Sequence, residues 1–157
     1  MEQQFRNEKD SIGTLQVEKN AYYGANALRA NNNFQITGYS MDPKFIDAIV
    51  EVKKTCAIVN NEVGLLDDDK ADAIINACNK LLGGEYRDQI IVDPIQGGAG
   101  TSFNMNINEV LANLANEELG GGLGTYEYVH PNDDVNDGQS TNDVIPSAGK
   151  IALIRYF

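Results

Sequence analysis

The sequence predicts a mainly α-helical fold with a minor β-hairpin, on three amphipathic stretches that are set off by capping residues and glycines. In the first, Asp42-Pro43 forms an N-cap followed by a first-turn proline. Phe45, Ile49, Val52, Cys56, Val59 and Val63 then recur at steps of four and three as far as Gly64. The second starts within Asp67 to Asp69, carries Ile74, Ile75, Cys78, Leu81 and Leu82, and stops at Gly83-Gly84. The loop between them is only a few residues, so they should pack as an antiparallel pair. The third runs from about Thr101 to Leu119 on Met105, Val110, Leu111, Leu114 and Ala115, and ends at Gly120-Gly121-Gly122.

The remaining elements are read in order. Up to about Gly38 the pattern is short and alternating, with a small hairpin near Ile12 to Val17. A polar loop covers Leu123 to Gly138. A last helix opens at Ser140 or Thr141, takes Pro146 in its first turn, and runs through Ile151 to Phe157. Nothing of the ordinary C-terminal signal closes that apolar run, so the chain is expected to be a piece of a longer protein. Asn104, Asn106, Asn108, Asn113 and Asn116 are poor helix formers inside the third helix. Their amides serve a polar pocket or interface, or else face water.

Composition narrows the partners. The 157 residues carry a formal net charge of -11 and 42% hydrophobic residues, enough for one modest core. Such acidity disfavours nucleic acid and anionic membranes, which need clustered Lys and Arg. No signal-peptide pattern opens the chain and no apolar run reaches membrane-spanning length, so a cytoplasmic setting is expected. Cys56 and Cys78 fall on apolar stripes and read as small buried thiols rather than a disulfide or zinc pair.

Two polar runs carry the chemistry. Gln96-Gly97-Gly98-Ala99-Gly100-Thr101-Ser102-Phe103-Asn104-Met105-Asn106 and Gln139-Ser140-Thr141-Asn142-Asp143 each turn a loop into a helix start, where unpaired N–H groups attract anions. Two such ends could hold a carboxylate-bearing metabolite. Each run taken alone reads equally as a tight turn or a hydroxyl cap. The glycine run lacks the lysine of a Walker loop and the spacing of a dinucleotide fingerprint. Between Asp88 and Gly149 there is no Lys or Arg, so positive charge for an anion must come from helix ends, from His130 or from outside this stretch. His130 is the only histidine, which leaves no multi-histidine metal set, and the aspartates around it lack EF-hand spacing.

In family order, the landmarks are Lys9-Asp10-Ser11-Ile12-Gly13, Ala21-Tyr22-Tyr23-Gly24 with Leu28-Arg29-Ala30, Asn33-Phe34 and the Gln96 to Asn106 run. Asn108-Glu109-Val110-Leu111-Ala112-Asn113, His130-Pro131-Asn132-Asp133 and Gln139 to Asp143 follow. On these the chain resembles the aspartase/fumarase superfamily from about Glu8 to its end. Thr141 makes the second run look more like the ammonia-lyases than the fumarases, which usually show Ser-Ser-Asn there.

The resemblance implies an N-terminal helical domain over residues 1–140 and, over 141–157, the start of a long central-bundle helix. It also implies a homotetrameric, cofactor-free lyase that releases fumarate from L-aspartate, with each site assembled from three subunits. Thr101, Ser140 and Thr141 would bind the carboxylate beside the carbon that loses a proton, Asn142 the substrate amine, and Arg29 the site region. His130, Asn132 and Asp133 resemble a secondary dicarboxylate site. Fumarate hydratase is the alternative within the superfamily, and a non-catalytic dicarboxylate-binding module the alternative outside it.

Two positions depart from the pattern. Asp134 stands where the family usually has His, adding negative charge beside the secondary site, and Ala27 stands where Thr is common. The family's Gly-Ser-Ser loop bearing the catalytic serine, its downstream lysine and a Thr-His pair are absent from these residues. The purified 157-residue chain is therefore expected to yield no fumarate from L-aspartate when the products are followed by proton NMR. Measurable turnover would overturn that expectation.

Overall fold

The computed structural model describes residues 4–10 and 12–157; Ser11, one of the residues carrying the resemblance, lies outside them. Strands β1 (Phe5–Lys9) and β2 (Thr14–Glu18) pair antiparallel, from Phe5 opposite Glu18 to Lys9 opposite Thr14. Five helices follow: α1 (Ala25–Asn33), α2 (Pro43–Glu62), α3 (Asp68–Leu82), α4 (Thr101–Glu118) and α5 (Thr141–Ile154). A single 3-10 turn spans Arg87–Gln89 and a π turn spans Pro131–Val135. Helix α2 packs against α3 and α5, and α4 packs against α3 and α1.

The helical reading holds where local signals are strong. Asp42 caps α2 by accepting from the N–H groups of Lys44 and Phe45, and α3 runs to Leu82 with Gly83 as its C-cap. The face that α2 buries differs from the expected one. Ile46, Ile49, Val50, Lys53 and Ala57 are inside, whereas Val59 and Val63 are exposed. Both stripes have helical spacing, but the buried one contains a lysine, and a pattern scored on apolar residues passes over it.

Three local expectations change. The hairpin window Ile12 to Val17 covers only the turn and most of β2. Its partner β1 turns Arg6 and Glu8 toward the protein, so no apolar alternation announces it. Asp10 closes the turn by accepting from the N–H groups of Ile12 and Gly13. Helix α1, absent from the sequence reading, has no cap of its own. Finally, Pro146 is the sixth residue of α5, beyond the first turn.

The cap of α1 comes from a distance. Buried Glu109 on α4 accepts from the backbone N–H groups of Gly24, Asn26 and Ala27 and from the Asn26 amide, at 2.8–3.0 Å. Glu8 on β1 accepts from the Ala25 N–H at 2.9 Å and pairs with Arg6. Two carboxylates at the positive end of one helix suit its dipole. Burial pushes the Glu109 carboxyl up, against the pull of the N–H groups of Ala27 and Asn26. Gly24 has no side chain because a Cβ there would lie 2.7 Å from the Glu109 carboxyl carbon.

All five helix α4 asparagines are buried, so none faces water, and three of them hold loop backbone. Asn106 accepts from Ile91 N–H and donates to the Gln89 carbonyl. Asn113 accepts from Gly124 N–H and donates to the Tyr22 carbonyl, and Asn116 accepts from Tyr128 N–H and donates to the Val129 carbonyl. They brace irregular segments that have no ladder to satisfy their backbone groups. Glu109→Ala should cost at least about 3 kcal/mol, because several buried donors lose their acceptor together. Glu109→Gln should cost less. Urea unfolding of the two variants measures the difference.

Candidate functional site

The glycine run is a braced loop. Asp93 accepts from the N–H groups of Ile36, Thr37, Gly38 and Ile95 and from the Thr37 hydroxyl, which anchors the loop at its start. Its carboxyl is held low: desolvation opposes the shift, and those N–H groups outweigh it. Gln96 then donates to the Asp93 carbonyl and accepts from the Phe103 N–H at 2.8 Å, so it caps α4 from inside the motif. Gly97 lies under the Phe34 ring, with a Cβ position only 2.8 Å from it.

Gly100 supplies the turn into α4 at φ +85°, and a Cβ there would sit 3.0 Å from Ile145 on α5. The two motifs therefore meet. Their link is polar as well, because the Asn104 amide donates to the Thr141 hydroxyl oxygen at 3.0 Å. Ser140 is the N-cap of α5, its hydroxyl oxygen accepting from the Asn142 N–H at 3.2 Å. Both hydroxyl oxygens thus act as acceptors toward the protein, and each keeps its own proton for another acceptor. Thr101 is the exposed first residue of α4, and Asn142 is the exposed second residue of α5. The arrangement is two abutting helix N-termini with hydroxyl donors at their rim, suited to an anion.

Arg29 does not join them. It forms a bidentate pair with Asp10 at 2.9 Å, beside the hairpin turn. Asp10 also lines a cavity of about 260 Å³ with Glu8, Glu109, Asn26, His130 and Asn132. His130 Nδ1 accepts from the N–H groups of Asn132 and Asp133, which caps the π turn. Asp133 is largely exposed, its carboxylate 3.3 Å from His130 Nδ1. Two of the three residues expected at a secondary site, His130 and Asn132, thus share a cavity with three carboxylates. The charge expected from Asp134 is answered locally, since it accepts from Lys70 at 2.8 Å and from the His130 N–H at 2.7 Å.

Sequence reasoning named Gln96 and Glu109 only as members of motif strings, without their bracing roles, and passed over Asp93 and above all Lys53. Buried on α2, Lys53 donates to Asn136 at 2.7 Å and to Gln139 at 2.9 Å, directly behind the second motif. A lysine at helical spacing between Ile49 and Ala57 was the available signal.

A lyase family model matches residues 13–157. The chain is 50% identical over 151 residues to an aspartate ammonia-lyase of Pseudomonas aeruginosa, covering 95% of this chain and 32% of that one. It is 49% identical over 154 residues to a class II fumarate hydratase of Halobacterium salinarum, covering 98% of this chain and 33% of that one. It superposes with a TM-score of 0.94 on a fumarate lyase:delta crystallin of Brucella melitensis in native form. There identity is 44%, over 96% of this chain and 36% of that one. The chain spans about a third of the length of the curated relatives it matches. Gly100→Ala should lower stability by about 1–3 kcal/mol, combining left-handed strain with the Ile145 contact. Thermal melting against Gly120→Ala, where φ is +87° and the Cβ position is open, isolates the packing part. From the matched residues and the shared fold, this chain belongs to the aspartase/fumarase superfamily of lyases.

Proposed function

We propose that the full-length protein is an aspartate ammonia-lyase. It would remove ammonia reversibly and in anti geometry from L-aspartate, giving fumarate through an aci-carboxylate intermediate. The observation that carries this reading is the meeting of the two helix N-termini through Asn104 and Thr141. When the proton leaves the carbon beside a carboxylate, that carboxylate gains charge. Donors already aimed at it then stabilise the transition state more than the ground state.

Thr101, Ser140 and Thr141 are the proposed carboxylate donors, and Asn142 the ligand for the amine. Arg29 is retained only as a residue that holds Asp10 and the hairpin turn near the site region. The base is expected on a segment outside these residues, as the superfamily resemblance implies. His130 and Asn132 are proposed to form the secondary dicarboxylate site with Asp133 at its edge. Residues 1–140 are proposed as the N-terminal domain and 141–157 as the beginning of a central-bundle helix, in a homotetramer whose sites are shared between subunits. A cytoplasmic location fits the two free cysteines, Cys56 and Cys78. Among the described residues, no helix is long and apolar enough to cross a membrane.

Fumarate hydration is the second reading, favoured by the 49% identity to the Halobacterium salinarum fumarate hydratase. Proton NMR of products from the full-length protein, given L-aspartate and L-malate separately, distinguishes them. Fumarate from aspartate alone supports the ammonia-lyase, and fumarate from malate alone establishes the hydratase. Thr141→Val should lower kcat by about 10²–10³, the usual effect of removing one preorganised donor to a developing oxyanion.

A further inference from the structure

Helix α2 crosses behind the second motif and turns one ammonium into it. Lys53 Nζ is fully buried and donates to Asn136 Oδ1 at 2.7 Å and to Gln139 Oε1 at 2.9 Å. Gln139 precedes Ser140 directly. Asn136 Oδ1 also accepts from the amides of Asn104 at 3.1 Å and Asn108 at 3.2 Å, and Asn104 donates to the Thr141 hydroxyl. The Asn136 amide returns a hydrogen bond to the Gln139 carbonyl at 2.9 Å, which closes the network. Asn104 Oδ1 and Asn108 Oδ1 are buried there without hydrogen-bond partners. Such a network is costly to bury, and a plain structural core would fill the same space with apolar side chains.

Resting on the reading of the paired helix ends as a carboxylate site, we propose that Lys53 is its positioning residue. From beneath, its ammonium fixes the Gln139–Thr141 turn and the Asn104 amide, and it adds positive charge to a site it does not touch. This answers the charge deficit between Asp88 and Gly149: the cation comes from α2, a segment far away in sequence.

The neighbours give that charge little compensation. Cys56 on α2 and Cys78 on α3 face Lys53, and burial pushes both thiols up, Cys78 to about 12, so they stay neutral. From α4 and the Asn136–Gln139 turn, only amides reach the network. Burial pushes the Lys53 ammonium down to about 7. An anion at the helix ends favours its charged form, so binding should take up a proton and weaken as pH rises through about 7.

Succinate is the probe, bound to the full-length protein and followed by isothermal titration calorimetry between pH 6 and 9, a range of about three units spanning the Lys53 titration. Lys53→Met should weaken succinate binding by about tenfold or more, through loss of the nearby charge and of the hold on the Gln139–Thr141 turn, and flatten its pH dependence. Gln139→Leu, which keeps the ammonium but cuts its link to the turn, should weaken binding less and keep the pH dependence. Thr141→Val tests the underlying site. If Thr141→Val weakens binding while Lys53→Met lowers only the melting temperature, the Lys53 proposal is overturned and the site stands. If Thr141→Val leaves binding unchanged, the site reading fails and takes the proposal with it. Should Lys53→Met not fold, Lys53→Gln and Gln139→Leu decide, and wild-type affinity and pH profile in both would overturn the proposal.

Discussion

Three irregular segments of this protein depend on one constraint: most of the polar side chains that α4 buries need partners, and loop backbone supplies them. A helix with five asparagines and a glutamate inside a core is costly unless most of those side chains are satisfied. Asn106, Asn113, Asn116 and Glu109 are satisfied by loop backbone, whereas Asn104 and Asn108 donate to side chains at the second motif and keep unpaired Oδ1 atoms. Asn106 holds the 89–92 segment, Asn113 and Asn116 hold the 124–129 loop, and Glu109 forms the N-terminal cap of α1. The loops gain the ladder they lack, and α4 gains the acceptors and donors that make its polar face tolerable. Deleting one member leaves groups unpaired on both sides, so the helix and the loops are stable together or not at all.

The same logic builds the site. Its two motifs would be ordinary helix caps if they lay apart. Gly100 allows α5 to approach α4 because no Cβ stands between it and Ile145, and Asn104 then reaches Thr141. With their oxygens occupied by protein donors, the Ser140 and Thr141 hydroxyls are oriented before any ligand arrives. Preorganisation of that kind is what the proposed carboxylate chemistry would draw on. Three carboxylates near the site are engaged locally: Asp93 by loop N–H groups, Asp134 by Lys70, and Asp10 by Arg29.

Helix α2 illustrates the limits of pattern reading. Its start is unambiguous, since Asp42-Pro43 carries a local mechanism. Its buried face is not, since two stripes share the helical period and the one that goes inside includes Lys53. Strand β1 fails for a related reason, its inward positions being Arg6 and Glu8. Helix α1 carries no local cap because its caps are contributed by β1 and α4. In each case the deciding partner is distant in sequence, and a polar residue stands where the pattern calls for an apolar one.

Composition, periodicity and capping by themselves determined the helical class, the bounds of α2, α3 and α4, and the two motifs at helix starts. All of these rest on interactions within about one helical turn, which a sequence displays directly. The resemblance to a superfamily likewise rests on local strings of residues. Only the tertiary structure decided that the two helix ends meet, that the asparagines of α4 face inward, that Arg29 belongs to the hairpin turn, and that a lysine from α2 stands behind the second motif. Those outcomes depend on contacts between elements, where the cost of burying a charge or an amide is offset only by partners that the fold brings together.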